Sequence, residues 1–452
     1  MLKKNAIIPL EITQISNEGN GVGRADGMAV FVPFSAVGDK LKVRVVKVLS
    51  HYAFGIIEEI IAPAACRQND DCPIYRRCGS CSLRHVSYAQ ELCIKNNWVE
   101  ENMRRIGKLA VTLPPAIPSP QPDRYRNKAI YPVRLQDGKP VAGFFAKRSH
   151  RVEPTEDCLL HPAFFGVIAA AFCGWLAECG VSIYDEVTHS GLVRALYIRH
   201  AEATGEVMVT VIANGGALPQ APALIKALRS ACPDITSVVL NVNRDKTNVL
   251  LGPVCQTLWG SDTITDRLCG LSFSLSPLSF YQVNRRGAEQ LYDIARDFAA
   301  LSGSEVLLDL YCGAGTIGLS MAHEARALIG VEIIPAAVEN ARQNAAQNSI
   351  EHARFICADA AEAAAQLEAE GIAPDVIILD PPRKGCAPEL IKTAVRMAPR
   401  RIVMVSCDSA TAARDVALFN ALGYTPQKIQ AVDMFPRTAH VECVVLITRV
   451  KE

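Results

Sequence analysis

The 452-residue chain has almost no net charge: 47 lysines and arginines stand against 46 aspartates and glutamates, a formal +1. No global field therefore pulls it toward a polyanion, and any contact with nucleic acid has to come from local basic patches. It also lacks a membrane-length apolar run. The longest, Ala163 to Ala177, falls short of the roughly 20 residues a spanning helix needs, carries two glycines, and reads as a buried helix. No apolar signal-peptide core precedes Glu11. Sixteen cysteines are many, but they lack the regular spacing of a disulfide framework. The expectation is a reducing cytoplasm, where clustered cysteines bind metal or do chemistry.

A chain of this length implies two or three domains. Residues 1–62 read as a small barrel, with strands at Ile7–Ile15, Met28–Pro33, Lys40–Val48 and Phe54–Ile61 and glycines in the first turn. Such OB-like barrels commonly hold single-stranded nucleic acid. Residues 63–275 read as a central α/β domain. It opens with Cys66 and then Cys72, Cys78 and Cys81, spaced C-x5-C-x2-C. Zinc ribbons bring two C-x2-C pairs and only one is present, so an iron–sulfur cluster with a distant fourth cysteine is favoured over zinc. The candidates for that fourth ligand are Cys93, Cys158, Cys173 and Cys179. Cys93 lies inside a helix opened by the capping box Ser87-x-x-Gln90, whereas Cys158 stands in a loop and is preferred.

A proline-rich linker, Leu113 to Pro122, leads to a basic segment between Arg124 and Arg151 that interleaves Tyr125, Tyr131, Phe144 and Phe145. Cations for phosphates and aromatic faces for bases suit an RNA groove; a solvated sheet face with core aromatics is an equal alternative. Residues 181 to 275 show strands but no catalytic signature. From 276 to 452 strands and helices alternate in the βαβα rhythm of a doubly wound sheet. Its first turn, Asp309-Leu310-Tyr311-Cys312-Gly313-Ala314-Gly315-Thr316-Ile317-Gly318, contains G-x-G-x-x-G, and Glu332 follows the next strand where a ribose-binding acid belongs. A nicotinamide dehydrogenase fits that pattern alone. Asp309 and the strand end Asp380-Pro381-Pro382 favour a methyl donor instead. A β-branched run from Arg401 ends at Ser406-Cys407-Asp408, which puts a cysteine on the working edge of the sheet.

Ser279-Phe280-Tyr281-Gln282-Val283-Asn284, the 309–318 turn, Asp380-Pro381-Pro382-Arg383-Lys384-Gly385, Ser406-Cys407-Asp408 and the run Asp433 to Glu442 occur in this order. Together they resemble the RNA uracil-C5 methyltransferase family, in particular bacterial 23S rRNA (uracil-5-)-methyltransferases, over nearly the whole chain. The resemblance implies a Rossmann-like class I methyltransferase domain and an N-terminal TRAM barrel that binds RNA. It implies a [4Fe-4S] cluster on Cys72, Cys78, Cys81 and Cys158, and S-adenosyl-L-methionine on Gln282, Tyr311, Thr316, Glu332, Asp359 and Asp380. By the same matching Cys407 is the nucleophile and Glu442 the proton acceptor. A cytoplasmic monomer acting on RNA, 23S rRNA ahead of tRNA, is expected, with no membrane partner. Three departures stand out: Cys66 is an extra cysteine, Asp408 stands where the family often has Asn, and Thr316 replaces a common Asn.

The chemistry accounts for the residue types. Uracil C5 is too weak a nucleophile to accept a methyl group until a thiolate adds to C6 and makes the ring an enolate; the C5 proton must then go to a base. Glu442, expected to begin the penultimate strand segment and to run antiparallel, would deliver that base to the rim that holds Cys407. N-methylation of a base amino group is the nearest rival, but there an aromatic usually follows Asp-Pro-Pro, and here Arg383 does. A cytosine-C5 enzyme would normally show a different cysteine motif. A non-enzymatic RNA-binding protein is the rival from another class.

Overall fold

A computed structural model describes residues 2–449. At the start of the chain every second side chain turns inward: along β5 (Lys40–Val48) Leu41, Val43 and Val45 are buried while Lys40 and Lys42 face water. With β1 (Ile7–Glu11), β2 (Gln14–Ile15), β3 (Gly21–Ala25), β4 (Met28–Val32) and β6 (Tyr52–Ala62) it forms a barrel-like sheet of order β1-β5-β6-β4-β3-β2. Helix α1 (Tyr88–Arg105) starts where the Ser87 hydroxyl accepts from the Gln90 amide, and its Trp98 indole donates to Ile15 O at 2.8 Å, which seats the helix on the barrel.

The central sheet comprises β7 (Lys128–Gln136), β8 (Lys139–Phe145), β9 (Val152–Pro154), β10 (Val193–His200), β11 (Val207–Ala213), β12 (Ile235–Val242) and β13 (Val254–Gly260), in the order β13-β12-β11-β10-β7-β8-β9. Helix α2 (Phe164–Glu178), the long apolar run, and α3 (Ala221–Ala231) cover one face, burying Phe165, Phe172 and Trp175 against Leu196, Ile198 and Val209. Tyr125 and Tyr131 of the basic segment are buried too. They are core aromatics rather than faces for bases; Phe144 and Phe145 stay half-buried.

The hairpin β14 (Ile264–Leu268) and β15 (Leu271–Leu275) packs Ile264, Phe273 and Leu275 with Tyr281, Leu291 and Tyr292. We therefore place the boundary of the last domain before residue 264, ahead of the 276 that patterning suggested. Helix α4 (Arg285–Ala299) follows. The final sheet consists of β16 (Val306–Leu310), β17 (Ala327–Glu332), β18 (Ala353–Cys357), β19 (Val376–Leu379), β20 (Arg401–Ser406), β21 (Tyr424–Val432) and β22 (Glu442–Arg449). Its order is β18-β17-β16-β19-β20-β22-β21, parallel except for β22, which runs against both neighbours. β22 is thus last in the chain order of the seven, not penultimate, and lies next to the edge of the sheet. The strands read as continuous apolar runs because helices cover both faces. α4 and α6 (Pro335–Gln347) pack on one face. α7 (Ala360–Ala369), α8 (Pro388–Arg396) and α9 (Ser409–Ala421) pack on the other, in the same apolar cluster as α1 and the barrel.

Candidate active site

The order of this sheet reverses between β16 and β19, so a crevice opens beyond their carboxyl ends. Tyr311, just past β16, holds a left-handed backbone at φ +69°, and Gly315 follows at +81° before α5 (Thr316–Ser320) begins. Such conformations in non-glycine residues cluster at functional sites. Asp309 accepts from the Gly318 amide at 2.9 Å, and a Cβ at 318 would meet that carboxylate oxygen at 2.7 Å, so only glycine fits the closing position of the turn. Burial, then the charges of Asp380 and Glu332, push the Asp309 carboxyl up to about 8.

All six residues expected to hold the cofactor come to this rim. Glu332, at the end of β17, accepts from the Gly313 amide at 3.1 Å and the Ile334 amide at 2.9 Å. The Thr316 hydroxyl lies 3.0 Å from the Tyr292 hydroxyl, which the Gln282 side chain also reaches. Tyr311 feels the charge of Asp359, which is exposed and accepts from the Ala361 amide at 2.9 Å as the cap of α7. Asp380 follows β19, and burial pushes its carboxyl up to about 7.

Cys407 is the first residue past β20, half-buried. Its thiol is pushed up to about 11 by burial and then by Glu442 and Asp380, with Arg383 opposing. Glu442 is the first residue of β22, and its neighbour Cys443 pairs with Ser406. The reversed direction of β22 brings it to the rim where the parallel strands end. Burial, followed by Asp380, pushes its carboxyl up to about 8 against the pull of Arg383. Asp408 is engaged at the start of a helix: its carboxylate caps α9, accepting from the Ala410 and Thr411 amides at 3.0 Å each. A cleft of about 420 Å³ leads to Cys407, walled by Asn17 of the barrel, Ser80 and Lys147 of the central region, and Arg383 and His440 of the last domain.

Two features escaped sequence reasoning. Arg383 lies 3.2 Å from His440 Nδ1 beside the thiol, although both residues stood in runs already singled out. Behind the 433–441 loop the buried Lys95 ammonium lies 2.7 Å from both Glu91 and Asp433 and donates to Phe435 O at 3.0 Å. Glu91 and Lys95 stand one turn apart on α1, a spacing that usually marks a solvated pair; only the fold reveals that they hold the loop leading into Glu442.

Cys72, Cys78, Cys81 and Cys158 line one small cavity with Tyr75, Phe144 and Leu160. Burial is the main cause that pushes Cys158 up to about 11 and Cys81 up to about 12, and neighbouring cysteines add to both. Cys93 is exposed, Cys173 and Cys179 belong to the packing of α2, and Cys66 points toward Val37 O at the barrel. Among the described residues no three His, Cys, Asp or Glu side chains gather as a single ion would require. The segment is tied to the 433–441 loop, because the Ser82 and Leu83 amides both donate to Arg437 O, at 2.9 and 3.0 Å.

These features define an RNA methyltransferase with a doubly wound catalytic sheet, and comparison with known proteins agrees. Residues 263–450 match the family described as tRNA (uracil-5-)-methyltransferase, and residues 2–57 match the TRAM domain. A protein of Listeria innocua called an uncharacterized RNA methyltransferase is 41% identical over 99% of both chains; one from Halalkalibacterium halodurans is 40% identical over 99% of this chain and 98% of its own. The crystal structure of Pyrococcus abyssi tRNA (uracil-54, C5)-methyltransferase in complex with S-adenosyl-L-homocysteine superposes with a TM-score of 0.78 at 27% identity, covering 98% of this chain and all of that one. The chain belongs to the RNA (uracil-5-)-methyltransferase family. Among the described residues no helix is long and apolar enough to cross a membrane.

Proposed function

We propose that the protein methylates a uridine of RNA at C5, with 23S rRNA as the substrate, through a covalent bond between Cys407 and C6. The observation that carries this is the meeting of Cys407 and Glu442 from neighbouring antiparallel strands on one buried rim. S-adenosyl-L-methionine, bound at Gln282, Tyr311, Thr316, Glu332, Asp359 and Asp380, supplies the methyl group. Three of these (Tyr311, Glu332 and Asp380) lie at or just past the ends of β16, β17 and β19, and the carboxylates among the six suit a cationic sulfonium.

The residues of the chain do the rest. The Cys407 sulfur adds to C6 as its proton passes to water in the open cleft, and Arg383 beside it favours the thiolate. The pair of electrons displaced from the C5–C6 double bond makes C5 nucleophilic. After methylation, in which that pair becomes the C5–methyl bond, Glu442 takes the C5 proton; the electrons of the C5–H bond re-form the double bond, and the Cys407 sulfur leaves C6 with the C–S bonding pair. A base whose buried carboxyl titrates at about 8 is matched to work near neutral pH. The target base has to leave its stack to reach the cleft.

The C-x5-C-x2-C spacing with a distant fourth cysteine favours a [4Fe-4S] cluster over zinc, and the four cysteines line one small cavity. Cys72, Cys78, Cys81 and Cys158 would hold the cluster, which supplies a cross-link between the 72–81 segment and the loop at 158. A brown protein absorbing broadly near 400 nm after anaerobic preparation is the expected result; a colourless zinc protein would contradict it.

The decisive experiment traps the enzyme on RNA containing 5-fluorouridine, where loss of the C5 proton is blocked. A cross-linked peptide carrying Cys407 is expected. No cross-link, or a label on another side chain, defeats the mechanism. A Cys407→Ala enzyme that kept full methylation would favour amino-group methylation. Mapping 5-methyluridine in cells with and without the protein decides between 23S rRNA and tRNA.

A further inference from the structure

A second cavity of about 400 Å³ lies on the face of the central sheet that α2 and α3 leave uncovered. Lys128 on β7, Arg126 just before it and Arg199 on β10 line it together with His161, and the 277–280 loop forms its far wall. No aspartate or glutamate lines it. Arg199 is 3% exposed; its Nε donates to the Tyr197 hydroxyl at 2.8 Å and its Nη2 to Ser279 O at 2.6 Å, while Nη1 has no partner. His161, 5% exposed, likewise leaves Nδ1 unpartnered. Lys128, whose ammonium sits 5.9 Å from the Phe280 ring centre, is pulled down to about 8 by burial and then by Arg199 and Arg126. Gathering like charges in a half-enclosed space costs stability, and so does a buried donor left without a partner. Such a cost is expected where a ligand supplies the missing charge.

We propose that this cavity is a phosphate subsite that takes one backbone phosphodiester of the substrate RNA, next to the nucleotide turned into the Cys407 cleft. Ser80 lines both cavities, so a single strand leaving the cleft passes directly into this one. The inference rests on RNA being the substrate, but it is tested by binding alone. The probe is a uridine-containing single-stranded RNA, titrated at several salt concentrations against the full-length protein and its Lys128→Met and Lys128→Arg variants. One phosphate contact contributes about 0.7 to the slope of log K against log salt for a single strand.

The expected result is a slope shallower by about 0.7 and weaker binding for Lys128→Met, with Lys128→Arg close to the unaltered protein. In turnover, KM for RNA rises while kcat changes little. An unchanged slope and affinity in Lys128→Met overturns the proposal. So does binding of inorganic phosphate that is lost in Lys128→Met while the RNA slope stays put, because the cavity then serves a free anion. If the unaltered protein binds no RNA, the reading of the substrate fails as a whole. Binding with the expected slope but no cross-link at Cys407 leaves the phosphate subsite standing and defeats only the chemistry.

Discussion

The chain builds two seven-stranded sheets, and they bury charge of opposite sign. The rim of the methyltransferase sheet gathers Asp309, Asp380 and Glu442, whose carboxyls are all pushed upward, opposed by the Gly318 amide at Asp309 and by Arg383 at Glu442. The open face of the central sheet gathers Arg126, Lys128 and Arg199 without a carboxylate. Neither arrangement helps the protein fold. The buried Lys95 behind the 433–441 loop is matched instead, between Glu91 and Asp433. On the proposed function, mismatched charge marks the two faces that meet ligands, and its sign tells which ligand: proton transfer beside a cationic donor on one sheet, a polyanion on the other.

The sharpest way to break that comparison is at the carboxylate rim. Cys407→Ala should reduce 5-methyluridine formation below detection while RNA affinity holds. Glu442→Gln should slow turnover by about 10²–10⁴-fold, the usual worth of a positioned base, and should accumulate RNA bound covalently to protein on a denaturing gel. A loss of RNA affinity of equal size in either variant would make the rim a binding surface like the other sheet.

Stability should move the opposite way. Glu442 has a folded carboxyl value raised above its unfolded one, so it opposes folding least below about 4.5 and increasingly as pH rises toward about 8. Glu442→Gln should thus be more stable than the natural protein by on the order of 3 kcal/mol at pH 7, with the gap closing near pH 4.5 in denaturant titrations. Lys95→Met should instead destabilise by about 3–5 kcal/mol, since it removes the cation that two buried carboxylates share and leaves Glu91 only the more distant Arg437. Opposite signs for these two variants would confirm that the rim is mismatched and the pair behind it matched.

The smallest effect is in the pH profile. Because Glu442 acts as a base in its charged form, kcat/KM should rise about tenfold for each pH unit well below 8 and level off above it. A flat profile between pH 6 and 8 would show that another group takes the proton.

Much of the methyltransferase sheet was legible in the residues, because parallel strands covered on both faces leave unbroken apolar runs such as Ile402–Val405. The rim residues were legible because short motifs sit where those runs end. The open face of the central sheet was not. Along β10 Arg199 looks like an ordinary outward residue of an alternating strand; its burial comes from Ser279 and Tyr197, and the first of these lies 80 residues away. Asp408 was read as an odd charge beside the nucleophile and turns out to cap α9, a role visible only once the helix start is placed. For the basic segment the sequence leaves two readings level, and for Tyr125 and Tyr131, which are packed inside, the core-aromatic one holds.

The placement of β22 has a consequence for how the enzyme comes into being. Of the seven strands in its sheet it is the last to leave the ribosome, yet it must slide between β20 and β21. Until it does, β21 has nothing to pair with in that sheet and Glu442 has not reached the rim beside Cys407. On the proposed mechanism, completing the fold and gaining the proton acceptor are then one late event, and a nascent chain halted before residue 442 would be both unfinished in shape and chemically silent.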